Sequence, residues 1–179
     1  PLRRQWLRPL NGFICHFMDR VVALTTLERE AVRRTYWIDP ARLEVVGWGA
    51  SETGASSRTA NTGPLTILCV GRLGQHKGQL WLLDVYQQAR ARFNRPVRLV
   101  LVGRDEGDEE NIRRLVKSSG LEPEVVITGE VSDQELASWY TGSDLFVLFS
   151  KYEAFGLVFS EAMLAGVPVL THDVGANRE

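Results

Sequence analysis

The 179-residue chain is nearly devoid of cysteine, with Cys15 and Cys69 alone. Two isolated thiols build neither a disulfide framework nor a zinc site, and they suit a reducing compartment best. No apolar run approaches the ~20 residues that a membrane-spanning helix requires, and no secretory leader is visible. An excess of either charge is also missing. Lys and Arg number 21 against 22 Asp and Glu, a net charge of −1, so nothing global points to a nucleic-acid partner. His16, His76 and His172 are scattered, and no metal is expected. Repeats of solenoid period are absent. So are the best-known phosphate signatures. There is no G-x-x-x-x-G-K-[ST] loop. Gly47-Trp48-Gly49 lacks the third glycine and the following helix of a dinucleotide turn. No D-x-D pair occurs either: Asp105 and Asp108 are too far apart and sit in an acidic stretch that reads as a solvated loop and helix start.

What is present is an ordinary globular composition, 44% apolar and 24% charged. The length supports one medium domain with a real core, not two full ones. The chain begins at Pro1 and stops at Glu179 just past a strand-like run, so both ends are read as cut. Over residues 1–20, Leu2, Trp6, Leu10, Phe13, Ile14 and Phe17 recur at roughly helical spacing, with Arg3, Arg4, Arg8 and Arg20 between them. Pro9 is expected to break or kink that helix. Its apolar face suits either a partner, the preferred reading, or an anionic lipid surface.

Val21–Thr25 and Leu43–Gly47 read as short strands. Between them Thr25 and Glu28 stand at capping-box spacing, opening a helix through about Tyr36. Residues 49–63 carry no large apolar side chain and much Gly, Ser, Thr and Ala, which marks a linker over about 48–63. Beyond it the pattern is regular. Buried-strand runs at Leu65–Val70, Val97–Val102, Glu124–Thr128, Leu145–Phe149 and Val167–Thr171 alternate with helix-length segments near 78–93, 108–119, 132–141 and 156–165. Ser132 and Glu135 form a second capping box. The expected fold class is therefore α/β, a Rossmann-like parallel sheet with helices on both faces. Ligands in such sheets bind at the carboxyl ends of the strands, so the loops at 71–77, 103–108, 129–133 and 150–157 should line a site.

Two constellations occupy those loops. Gly71-Arg72-Leu73-Gly74-Gln75-His76-Lys77-Gly78 combines glycines that permit close backbone approach with two cations. An Arg forks onto phosphate oxygens, and a Lys acts as a mobile point charge. His76 sits inside this loop and is expected to face solvent. Cys69, in the strand before it, reads as core packing. The second block runs from Ser150 to Met163 and places Glu153 before a helix start near Gly156 and Glu161 inside that helix. Free N–H groups at a helix start cradle phosphate, and carboxylates accept hydrogen bonds from hydroxyls. On spacing alone the reading of Glu153 as a cap and Glu161 as a surface residue is the preferred one.

The two blocks, VGRLGQHKG and SKYEAFGLVFSEAMLAGVPVL, resemble the signatures of retaining GT-B glycosyltransferases of group 1, also called family 4. The resemblance covers about 64–179 and reaches back weakly to Val21. It implies that 64–179 is the nucleotide-sugar-binding domain and that 1–47 is a remnant of the acceptor-side domain. It implies a catalytic set of Arg72 and Lys77 on the donor diphosphate and Glu153 on sugar hydroxyls. Glu161 would take the ribose hydroxyls, and Phe155, Gly156 and Leu157 would offer backbone N–H groups. Gly71, Gly103 and Arg104 complete the donor-binding set, and Ile127–Val131 matches the segment that packs around the base. The implied reaction is transfer of a sugar from a nucleotide diphosphate to a sugar, lipid or protein acceptor with retained configuration, without metal or cofactor. The implied location is the cytoplasm, with peripheral contact at the membrane face left open. Two departures stand out. Gly47-Trp48-Gly49-Ala50-Ser51 replaces the usual Asn-Gly-Val-Asp before the linker, and Ala176 replaces a glycine in Gly175–Glu179. The fragment is expected to bind nucleotide weakly and to transfer nothing. The rival reading is a non-catalytic nucleotide- or carbohydrate-binding module on the same fold. A third reading is a sugar phosphorylase or nucleotide-sugar epimerase on the same architecture; a phosphorylase would normally place a pyridoxal-binding lysine in this half, and there is no distinct candidate beyond Lys77, Lys117 and Lys151.

Overall fold

The computed structural model describes residues 7–47, 49 and 63–178. Glu179 and the expected 48–63 linker, apart from Gly49 and Gly63, lie outside the described residues. The chain divides into two compact units: Pro1–Gly49 with Glu153–Phe155 and Gly175–Glu179, and Ala50–Tyr152 with Gly156–Val174.

In the first unit the order is α1 (Leu7–Phe17), β1 (Val21–Ala23), α2 (Thr26–Tyr36) and β2 (Leu43–Val45). The two strands pair in parallel, Val21 opposite Leu43. The Thr25 hydroxyl accepts the Glu28 N–H at 3.0 Å, and the Glu28 carboxylate accepts the Leu24 N–H at 2.8 Å. The T-x-x-E spacing thus caps α2 reciprocally, reaching one residue further back than expected. Because Leu24 and Thr25 are committed to that cap, β1 ends at Ala23 and not at Thr25. Pro9 does not break α1. The described residues run helical on both sides of it, from Leu7 to Phe17. Phe13 and Phe17 meet at a tilt, ring centroids 4.6 Å apart, and are 63% and 70% exposed, so the apolar face of α1 is open. No described helix is long and apolar enough to cross a membrane.

The second unit holds β3 (Leu65–Val70), α3 (Gln79–Ala89), β4 (Val97–Val102), α4 (Glu109–Ser118), β5 (Val125–Gly129), α5 (Asp133–Thr141), β6 (Leu145–Leu148), α6 (Leu157–Leu164) and β7 (Val169–Thr171). All five strands are parallel, in the order β5-β4-β3-β6-β7. The chain winds outward from β3 to β5, returns to the other side of β3 with β6, and winds outward again. That is a doubly wound sheet whose topological switch lies between β3 and β6. The two central strands are buried almost throughout. Leu68, Leu99, Val100 and Leu101 expose nothing, as a sheet covered on both faces requires. Leu82 and Leu83 of α3, Ile112 and Val116 of α4, Tyr140 of α5, and Phe159 and Ala162 of α6 join the same core. Each such Leu, Ile, Val or Phe side chain contributes about 1.5–3 kcal/mol on burial. Cys69 packs among them, and burial pushes its thiol up to about 12.

Ser132 and Glu135 form the expected capping box on α5. The strand ends differ from expectation for local reasons. β5 starts at Val125 because the Glu124 N–H is spent on a turn, bonding back to the Leu121 carbonyl at 2.9 Å. β7 starts at Val169 because the Val167 N–H bonds back to Ala162 and closes α6, and because Pro168 has no N–H to offer. β6 stops at Leu148, one residue short of Phe149.

Candidate functional site

In a doubly wound sheet the crevice opens at the carboxyl ends of the strands beside the switch point, here β3 and β6. The loop leaving β3 is tied to the one leaving β6: the Lys151 N–H donates to the His76 carbonyl at 2.7 Å. Gly78 starts α3 in a left-handed conformation, φ 72°. A Cβ at that position would lie 2.1 Å from the Phe149 carbonyl oxygen, so only glycine lets α3 begin this close to the end of β6. The loop after β4 joins from the other side. The Leu73 N–H donates to the Arg104 carbonyl at 2.9 Å, and a Cβ on Gly103 would meet the Gly71 carbonyl oxygen at 2.2 Å. Gly71, Arg72, Lys77, Gly103 and Arg104 are thereby gathered in one cluster of loops.

Arg72 and Arg104 are exposed, and Lys77 is half-buried. The aliphatic stem of Lys77 packs by Gly71: a Cβ on that glycine would sit 3.6 Å from its Cδ. Arg72 forms an ion pair with Glu106, whose second oxygen lies 3.4 Å from His76 Nδ1. The acidic stretch is therefore more than the solvated loop expected, and His76 does not simply face water. Glu106 is therefore the counter-ion of Arg72. Its neighbour Asp105 holds the turn in place. The Asp105 carboxylate accepts the N–H groups of Glu109, Gly107 and Asp108, which hold it below the usual carboxylate range.

Sequence reasoning missed Gln79. It is 2% exposed, and its amide donates to the carbonyls of Arg72 at 2.9 Å and Gly71 at 3.3 Å, pinning the cation-bearing loop from below. A lone Gln directly after the loop's last glycine, ahead of the apolar run Leu80-Trp81-Leu82-Leu83, was the available signal.

α6 also begins on a left-handed glycine, Gly156, φ 80°, with no side-chain cap. Side-chain caps normally take the first-turn N–H groups of a helix. Both α3 and α6 lack one, which suits a helix start to receive an anion. Leu157 is half-buried in that turn. Glu161, one turn on, accepts a hydrogen bond from the Tyr140 hydroxyl at 2.7 Å. Glu153 and Phe155 are grouped with the first unit and are half-buried there. In that unit Gly175 abuts the Glu153 backbone: a Cβ on it would lie 2.2 Å from the Glu153 carbonyl oxygen. Elsewhere in the second unit, His172 makes edge contacts with Trp81 and Phe149, ring centroids 5.6 and 5.9 Å away. Among the described residues no three His, Cys, Asp or Glu side chains gather to hold a metal ion.

Comparison with known proteins adds an independent line. Residues 51–179 match the family described as glycosyl transferases group 1. The chain is 32% identical over 171 residues to a D-inositol 3-phosphate glycosyltransferase of Rhodococcus erythropolis, covering 88% of this chain and 39% of the relative. It is 36% identical over 110 residues to a mannosylfructose-phosphate synthase of Agrobacterium fabrum, covering 58% and 24%. The chain thus spans well under half the length of these relatives. Among solved structures, Anabaena HepE in complex with UDP and glucose superposes with a TM-score of 0.79 at 22% identity, over 96% of this chain and 49% of that one. WaaG, a glycosyltransferase involved in lipopolysaccharide biosynthesis, gives 0.78 at 21%, over 99% and 53%. These two likenesses establish the fold.

Proposed function

The chain belongs to the group 1 glycosyl transferases, and from that premise we propose that residues 64–179 supply the donor site of a retaining sugar transferase. The observation that carries the reading is the placing of Arg72 and Lys77 on one glycine loop at the switch-point crevice, beside two helix starts that no side chain caps. A nucleoside diphosphate is the leaving group that such a site suits. Arg72 forks onto its oxygens, Lys77 supplies a second charge, and the starts of α3 and α6 present N–H groups and positive dipole ends. Together they stabilise the charge that develops as the bond from the sugar's anomeric carbon to the β-phosphate oxygen breaks. No metal is required, because the cations and dipoles do that work. Gly71, Gly103 and Arg104 shape the phosphate side, Phe155, Gly156 and Leu157 offer backbone N–H groups, Glu161 takes the ribose hydroxyls, and Glu153 takes hydroxyls of the transferred sugar. The acceptor oxygen attacks the anomeric carbon from the leaving group's own face and passes its proton to the departing phosphate, so configuration is retained. Residues 1–47 belong to the acceptor side, and the cytoplasm is the compartment that suits the two free cysteines.

Calorimetric titration of the chain with UDP, GDP and ADP in EDTA tests this reading. One of the three is expected to bind weakly, with a Kd that added magnesium leaves within about twofold, because the charge balance needs no ion. Binding by none of the three, or binding that appears only with magnesium, would contradict it.

A further inference from the structure

Tyr140 is fully buried on α5, 6.0 Å ring to ring from Phe146, which in turn meets Phe159 edge-on at 5.8 Å. A phenylalanine would fill that space. The hydroxyl instead reaches out of the core and donates to Glu161 Oε2, 2.7 Å away on α6. Glu161 is only half-buried and stands four residues after Leu157, one turn along the helix that opens at Gly156. Burial, and then the Glu161 carboxylate, push the Tyr140 phenol far above its ordinary range, so the hydroxyl stays protonated and remains the donor. An ionised carboxylate has two oxygens and about four acceptor positions. Tyr140 occupies one and fixes the rotation of the group, which leaves Oε1 and the remaining lone pairs of Oε2 in a set direction.

We propose that Tyr140 is a positioning residue of the donor site, holding the Glu161 carboxylate in the one orientation that accepts a vicinal diol, the ribose hydroxyl pair of a nucleoside diphosphate. A carboxylate on a helix turn otherwise samples several side-chain rotamers. Two hydroxyls on adjacent carbons need both acceptor positions to be ready together, and a pre-set group loses less freedom on binding. The contact joins two helices across 21 residues of sequence, so packing of the core and aiming of the carboxylate are one device. The inference rests on Glu161 serving the ribose.

The test compares the ribonucleoside diphosphate that binds in the titration above with its 2′-deoxy and 3′-deoxy forms. It uses the unaltered chain, Tyr140→Phe and Glu161→Gln, with thermal unfolding of each recorded. Tyr140→Phe folds, since it leaves only Glu161 short of a partner and that carboxylate reaches water. The unaltered chain is expected to favour the ribonucleotide about tenfold, the loss of one hydrogen bond to a charged group. Tyr140→Phe should reduce that preference to threefold or less, while its affinity for the deoxy forms stays within about twofold. Glu161→Gln should reduce the preference as well. If Glu161→Gln abolishes the preference and Tyr140→Phe keeps it whole, Tyr140 is core packing and the inference fails. If Glu161→Gln keeps it whole, the assignment of the ribose to Glu161 fails first. A chain with no preference, or with no binding at all, overturns both.

Discussion

The Arg72→Ala, Lys77→Ala double variant is expected to bind the nucleoside diphosphate roughly 30- to 1,000-fold more weakly than the unaltered chain, with its unfolding temperature little changed. Hydrogen bonds to a charged group contribute about 1.5–3 kcal/mol each. Two cations serving one diphosphate, discounted because the Arg72 side chain is 46% exposed, come to about 2–4 kcal/mol. The fold should tolerate the change, because neither side chain is in the buried core. Glu106 gives the account a variant of opposite sign. Arg72 must leave it to reach a phosphate, and an exposed ion pair is worth about 0–1 kcal/mol. Glu106→Gln should therefore tighten binding, by up to about fivefold. A double variant that binds as well as the unaltered chain, or a Glu106→Gln that weakens binding, would remove the loop after β3 from the site. The same calorimetric titration reads both.

The second large effect is on stability. Gly78→Ala is expected to destabilise the chain by about 3 kcal/mol or more and to lower the unfolding temperature by about 6–12 °C. Two causes add. A left-handed conformation strains any residue with a Cβ by about 1–2 kcal/mol. In addition the new methyl would stand 2.1 Å from the Phe149 carbonyl oxygen, so the junction between α3 and the end of β6 would have to open. Gly120→Ala separates the two causes. Its φ of 62° is similar, yet a Cβ there meets nothing within 4 Å. It should lose only the conformational part, about 1–2 kcal/mol. Equal losses at the two positions, measured by thermal or urea unfolding, would mean that the close approach at Gly78 is not what holds the crevice together.

Much of the second unit can be read from the chain directly. Leu65–Val70 and Val97–Val102 fold as strands with the bounds expected of them, because a continuous apolar run flanked by glycine and polar residues suits a strand buried on both faces. The caps at Thr25 and Ser132 are likewise legible, since each is a contact across three residues. What escapes sequence reading is contact across distance. The pairing of Arg72 with Glu106 spans 34 residues and exists because the loops after β3 and β4 are neighbours. The hydrogen bond from Tyr140 to Glu161, and the grouping of Glu153–Phe155 with the first unit, carry no local spacing that would reveal them. Pro9 misleads for a different reason. Proline disfavours a helix without forbidding it, and the apolar pattern around Pro9 carries helix on both sides of it.

The central claim is that the diphosphate sits at the carboxyl ends of β3 and β6. A different pair of arginines offers a clear alternative: Arg90 and Arg95, with Glu124, line a cavity of about 420 Å³ at the amino end of β4. Mapping amide chemical shifts in the isotope-labelled chain as the nucleoside diphosphate is added distinguishes the two ends of the sheet. The account predicts that the largest shifts fall on Gly71–Gly78, Gly103, Arg104 and Gly156–Glu161. Shifts centred on Arg90, Arg95 and Val97, with the loop after β3 unmoved, would contradict it.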